Sequence, residues 1–139
     1  MADAPSGRGL LDTSVIIGVD ELDPALLPAE VAISTLTLAE LTAGPSAVAD
    51  DELERARRQN RLQRVESGFE SLAFDRRCVH AYGLVYAAVL RTGRKARGGR
   101  VVDLMIAATA LAHELTLYTL NRDDLRGLDG LIEVVDVGR

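Results

Sequence analysis

Acidic side chains end or interrupt apolar stretches at four separated points of this 139-residue chain. Asp12 closes the run Gly9-Leu10-Leu11 and precedes Thr13-Ser14. Glu40 stands in Thr37-Leu38-Ala39-Glu40-Leu41, and Asp103 leads the apolar run Leu104-Met105-Ile106-Ala107-Ala108-Thr109-Ala110. Asp123 and Asp124 follow a second apolar run that closes on Tyr118-Thr119-Leu120-Asn121. Carboxylates gathered on one edge repel one another, so a shared site is expected to hold hard cations. Oxygen ligands of this kind suit Mg2+ or Mn2+ and phosphate-ester chemistry. Burying a lone carboxylate in runs as apolar as those around Asp12 and Asp103 would cost several kcal/mol. One common metal accounts for both placements.

A fold that unites these segments needs strands ending near the acids. Residues 9–12 read as a first strand, with a short helix over 13–19 capped near Thr13 or Ser14. Residues 20–30, with Pro24 and Pro28, read as a loop. Residues 31–34 form a second strand, and 37–43 a short helix stopped by Gly44-Pro45. Residues 49–68 read as an exposed helical arm with a ragged stripe of Leu53, Ala56, Asn60, Leu62 and Val65. Residues 69–74 suggest a third strand. Asp75 then caps a helix to about Thr92, whose Val79, Tyr82, Val85, Tyr86 and Val89 suggest one buried face. A basic loop covers 93–100, and 102–113, apolar nearly all round, suggests a deeply buried helix. Strands at 115–119 and 131–137 complete the alternation. The pattern is α/β, with a central parallel sheet of about five strands covered on both faces in three layers. In such folds ligands bind at the carboxyl edge of the sheet. Asp12 and the 121–124 turn fall at strand ends there, and Glu40 and Asp103 in first helical turns.

Each acid has a plainer reading. Asp12 would serve as a helix cap. Thr37 and Glu40 match a capping box. Asp103 suits a helix N-terminus, and Asp123-Asp124 suit a turn. The joint pattern argues for a site, and a capping residue can also bind metal.

Composition narrows the setting. The length fits one domain over 1–139, with residues 1–8 expected to be disordered and 46–68 forming the arm. The net charge of −5 makes nucleic acid a poor default partner, although bound cations and local basic patches can outweigh the total. Cys78 is the only cysteine, and His80 and His113 are too few and scattered for a zinc cluster. That usage, without a signal peptide or an apolar run able to span a bilayer, points to the cytoplasm and away from membranes.

Leu11-Asp12-Thr13-Ser14-Val15-Ile16, the Glu40 segment, the Asp103 segment and Leu117-Tyr118-Thr119-Leu120-Asn121-Arg122-Asp123-Asp124-Leu125 resemble, in order and spacing, the four motifs of PIN-domain ribonucleases. The short length resembles VapC-type toxins of bacterial toxin–antitoxin pairs. The resemblance spans nearly the whole chain. It implies a PIN-like fold and an endoribonuclease whose Mg2+ ions, replaceable by Mn2+, activate water for attack on phosphorus. Products with 5′-phosphate and 3′-hydroxyl ends follow from the same likeness. Asp12, Glu40, Asp103 and Asp124 carry over as catalytic, metal-holding acids, with Asp123 as an alternative in the fourth position. Thr13 and Asn121 are candidate substrate contacts. Leu120 stands where the family often has a basic residue, a role open to Arg122.

Substrate RNA must be held beside this acidic edge by cations. Arg91, Arg94, Lys95, Arg97 and Arg100 lead into Asp103, with Arg97 and Arg100 the candidate contacts; Arg55, Arg57, Arg58, Arg61 and Arg64 line the arm, either as RNA contacts or as a solvated face. The resemblance also implies a VapB-type antitoxin across the crevice, meeting residues 25–28 or the arm, and a homodimer. His80 and His113 read as structural or surface residues and Cys78 as core. A haloacid-dehalogenase-like phosphatase would need an acid where Ser14 stands, and a receiver domain would need a lysine after a late strand. The remaining alternative is a PIN-like module that binds protein or RNA without catalysis.

Overall fold

The structure, a computed structural model, describes residues 7–94 and 97–138. The expected disorder at the N-terminus, for residues 1–6, and the role assigned to Lys95 lie outside them. Arg8, expected to be disordered, instead opens the first strand, where it pairs with Glu70. Five strands, β1 (Arg8–Leu11), β2 (Glu30–Ser34), β3 (Glu70–Leu72), β4 (Thr116–Thr119) and β5 (Val134–Asp136), form one sheet in the order β3-β2-β1-β4-β5. Every pairing is parallel. Five α-helices join them: α1 (Thr13–Gly18), α2 (Thr35–Ala47), α3 (Glu52–Gly68), α4 (Arg76–Arg91) and α5 (Gly99–Ala112).

Successive strand residues point to opposite faces, and both faces are buried. Leu10, Ala32 and Leu117 meet α4 and α5 on one side. Leu11, Ile33 and Tyr118 meet Val15, Ile16, Leu41, Leu62 and Val65 of α1, α2 and α3 on the other. This is the three-layer α/β/α arrangement expected from the sequence. Gly9 serves it directly. A Cβ there would lie 2.4 Å from Cε1 of the buried Tyr118 ring.

Several boundaries differ from the sequence reading. Gly44-Pro45 does not stop α2, which runs on to Ala47. Pro45 falls in the last turn, so its missing N–H costs a single ladder bond. The turn tightens there, with the Val48 amide donating to the Pro45 carbonyl, and Arg58 Nη1 of α3 donates to the freed Gly44 carbonyl at 3.1 Å. The arm is therefore no free extension. It begins at Glu52, is capped by Asp51, and buries Leu62 and Val65, while Leu53, Ala56 and Asn60 stay exposed. The third and fifth strands are shorter than expected, three residues each, and Glu30 belongs to β2 rather than to the preceding loop.

On α4 the buried face is Cys78, Ala81, Val85, Ala88 and Val89, whereas Val79 and Tyr86 are exposed. Val85 and Val89 keep their expected place on that face, and the small Cys78, Ala81 and Ala88 fill the rest of it, Ala81 and Ala88 against the core shared with α5. The loop assigned to 93–100 is also too long at its far end. α5 starts a turn early, at Gly99, and takes in Arg100. Among the described residues no helix is long and apolar enough to cross a membrane.

Candidate functional site

Strand order reverses about β1, since the chain passes to β2 and β3 on one side and later to β4 and β5 on the other. Such a switch point opens a crevice at the carboxyl edge. Asp12 is the first residue past β1 and is the N-cap of α1, in place of Thr13 or Ser14. Its Oδ1 accepts from the Val15 amide at 3.1 Å and from the Ser14 hydroxyl at 2.5 Å. Both bonds fall on one oxygen, so Oδ2 carries neither. Ser14 Oγ in turn accepts from the Leu120 amide at 3.0 Å, and the Asp12 amide donates to the Tyr118 carbonyl. These bonds fix Asp12 against the end of β4.

Glu40 lies one turn deeper in α2 than the sequence suggested. The capping box is not formed. Ser34, the last residue of β2, caps α2 by accepting from the Leu36 amide at 3.0 Å. Thr37 is buried instead, 3.0 Å from the Thr13 hydroxyl. Thr13 Oγ1 donates to Glu40 Oε1 at 2.6 Å. Thr13 thus orients Glu40 from the residue next to Asp12.

Asp103 also sits in the second turn of its helix rather than the first. Its carboxyl is pushed up to about 6 from an ordinary 3.8. Burial is the largest cause, followed by repulsion from Asp12, Glu40 and Asp124, and the Arg100 guanidinium partly offsets them. One carboxyl therefore feels acids from three other segments of the chain. Asp124, half-buried in the 3-10 turn Arg122–Leu125, is the fourth-segment acid that acts on it. Asp123 is exposed, its carboxylate 3.9 Å from Arg126 and its carbonyl accepting from Arg94 Nη1 at 2.7 Å.

Other sequence candidates are placed less centrally. Asn121 is exposed, and its amide donates to Thr119 Oγ1 at 2.9 Å. Arg97 is exposed, whereas Arg100 is half-buried and its Nη1 is buried without a hydrogen-bond partner among the described residues. Arg122 is exposed, 3.7 Å from Asp129. His80 is exposed, and Cys78 is fully buried in the core.

The donor set is carboxylate and hydroxyl oxygen, which matches a hard divalent cation. The other acids act on the Asp103 carboxyl without closing into a ready cage. Among the described residues, no three or more His, Cys, Asp or Glu side chains are grouped closely enough to hold a metal as they stand. The Ser14 link to Leu120 and the Thr13 link to Glu40 were not legible as partners in the sequence. Their only signal was two hydroxyls directly following Asp12.

The PIN domain family model matches residues 9–131. This chain belongs to the PIN-domain family. Within it the likeness is to VapC-type proteins. Ribonuclease VapC5 of Mycobacterium tuberculosis (strain ATCC 25618 / H37Rv) is 36% identical over 137 residues, 96% of each chain. Ribonuclease VapC4 of the same organism is 34% identical over 123 residues, 84% of this chain and 88% of that one. The fold matches the crystal structure of VapBC-5, a member of the VapBC family of toxin-antitoxin systems from Mycobacterium tuberculosis. That match has a TM-score of 0.79 and 36% identity over 93% of this chain and 96% of that one.

Proposed function

We propose that this VapC-type PIN domain, spanning 1–139, is a toxin that hydrolyses RNA phosphodiester bonds in the cytoplasm and is neutralised by a VapB-type antitoxin. The observation that carries the reading is the convergence of acids from four segments at the switch point of the sheet, where burial and then repulsion from Asp12, Glu40 and Asp124 hold the Asp103 carboxyl above the usual carboxylate range. The 36% identity to a protein named Ribonuclease VapC5 over nearly the full length supports the same chemistry.

Asp12, Glu40, Asp103 and Asp124 are the residues that would hold Mg2+ or Mn2+, whose chemistry when bound is Lewis acidity toward the scissile phosphate and a lowered pKa for water. The Ser14 hydroxyl and the Val15 amide occupy Oδ1 of Asp12, which leaves Oδ2 for a cation. Thr13 holds Glu40, whose long side chain is otherwise free to sweep. Arg100 lowers the cost of the clustered negative charge and, with Arg97, would meet an incoming phosphate, since a guanidinium binds phosphate through paired N–H groups.

Purified protein freed of antitoxin should cleave structured RNA with Mg2+ or Mn2+ and stop in EDTA. Asp12→Ala and Asp103→Ala should each abolish cleavage while leaving the circular dichroism spectrum intact. Cleavage persisting in both variants would overturn the reading. Binding of RNA without any cleavage by the wild type would instead favour a non-catalytic PIN-like module.

A further inference from the structure

A cavity of about 330 Å³ opens beside the acids, between α1, α2 and the start of α3. Thr13 and Glu40 form one wall, so it is continuous with the crevice. Arg58 and Arg61 of α3 also line it, and Ile17 and Leu41 supply apolar surface. The two arginines are in different states. Arg58 is committed to the fold, donating to Glu54 Oε2 at 3.0 Å and to the Gly44 carbonyl. Arg61 is half-buried and makes no hydrogen bond or ion pair among the described residues. Glu54 is already engaged by Arg57 and Arg58, and Glu40 by Thr13. An unpaired guanidinium facing a cavity lined by engaged carboxylates is an anion receptor awaiting an anion from outside.

Resting on the nuclease reading above, we infer that this cavity is a subsite for the nucleotide adjoining the scissile phosphate, with Arg61 gripping that nucleotide's phosphate. Ile17, 53% exposed on the cavity wall, offers an apolar platform on which a base can lie. No aromatic ring lines the cavity and Arg58 is already committed to Glu54 and Gly44, so Arg61 is the group left to grip, and it grips backbone phosphate rather than a stacked base.

The test is binding of a short fluorescein-labelled oligoribonucleotide of mixed sequence, read by anisotropy across a salt series. Asp103→Asn protein is used throughout so that cutting does not intervene. Adding Arg61→Ala should weaken binding roughly tenfold or more, as expected for a lost charged hydrogen-bonding group. The slope of log affinity against log salt should shrink by about 0.7, the loss of one single-strand phosphate contact. Arg61→Lys should restore the slope and most of the affinity, and both variants should melt close to the parent. If Arg61→Ala melts markedly lower, Arg61→Gln, which keeps the stem, carries the same expectation. Unchanged RNA affinity, or equal losses in the lysine and alanine variants, would overturn the subsite; the first of these together with weakened antitoxin binding would assign the cavity to the antitoxin. Wild-type protein that binds RNA through Arg61 but never cuts it would defeat the nuclease reading and leave the subsite standing.

Discussion

Asp103 makes the metal-free fold sensitive to pH in an unusual direction. Its folded carboxyl titrates near 6, above the ordinary 3.8. Between those values the folded state binds more protons than the unfolded one, so stability falls as pH rises. The contribution is fully present below about 3.8 and is lost as pH rises through about 6. In EDTA the melting temperature should therefore rise as pH is lowered from 7 toward 5. Asp103→Asn should flatten that dependence and raise the melting temperature at pH 7 by relieving repulsion. The same substitution should remove most of the stabilisation that Mg2+ or Mn2+ gives the wild type by mass action. Scanning fluorimetry over pH, with and without metal, reads all three outcomes. The acids themselves were legible because each interrupts an apolar run. The choice between Asp123 and Asp124 was not, because adjacent turn residues differ only in the direction the turn gives them. The sequence also favoured Thr37 as a cap, whereas the chain leaves β2 at Ser34 and the first hydroxyl there takes the amide.

At the level of elements, the central strands were visible because both faces of the sheet are buried there, over Leu10-Leu11, Ala32-Ile33 and Leu117-Tyr118. Helix ends were harder to read. A proline in a last turn costs little, and α5 begins on residues whose composition resembles a loop. The buried face of α4 was read in part: Val85 and Val89 are buried as expected and Tyr82 packs against the core, but Cys78, Ala81 and Ala88 complete the face while Val79 and Tyr86 turn outward. Close packing governs β1 and β4. Gly9→Ala should drive a methyl into the Tyr118 ring and cost about 1–3 kcal/mol, the usual penalty of overpacking. Tyr118 has a buried hydroxyl with no hydrogen-bond partner among the described residues. Tyr118→Phe should accordingly leave stability unchanged or improved, because no bond is lost with the hydroxyl. Urea denaturation of the two variants tests the pair.

Across the whole molecule, stability should be graded from the sheet centre outward. Leu10, Leu11 and Leu117 are at most 1% exposed and lie in the middle strands. The stretch Val19–Leu26 carries only short 3-10 turns and has no buried residue. Amide exchange should be slowest in β1 and β4, approaching the global unfolding limit, and fastest through that stretch. Equal protection in both would contradict the grading. The three-layer plan was readable from the alternation of elements, whereas the hydrogen bonds that lock the crevice join residues too far apart in sequence for any local pattern to announce them.

The bond between Ser14 and the amide of Leu120 joins residues 106 positions apart in the chain. A product released by a stop codon ahead of β4 would lack the carbonyl that receives the Asp12 amide and the turn that bears Asp124. Synthesis thus delivers this wall of the crevice after the segments that bear Asp12, Glu40 and Asp103, and products that stop short of β4 are made without it.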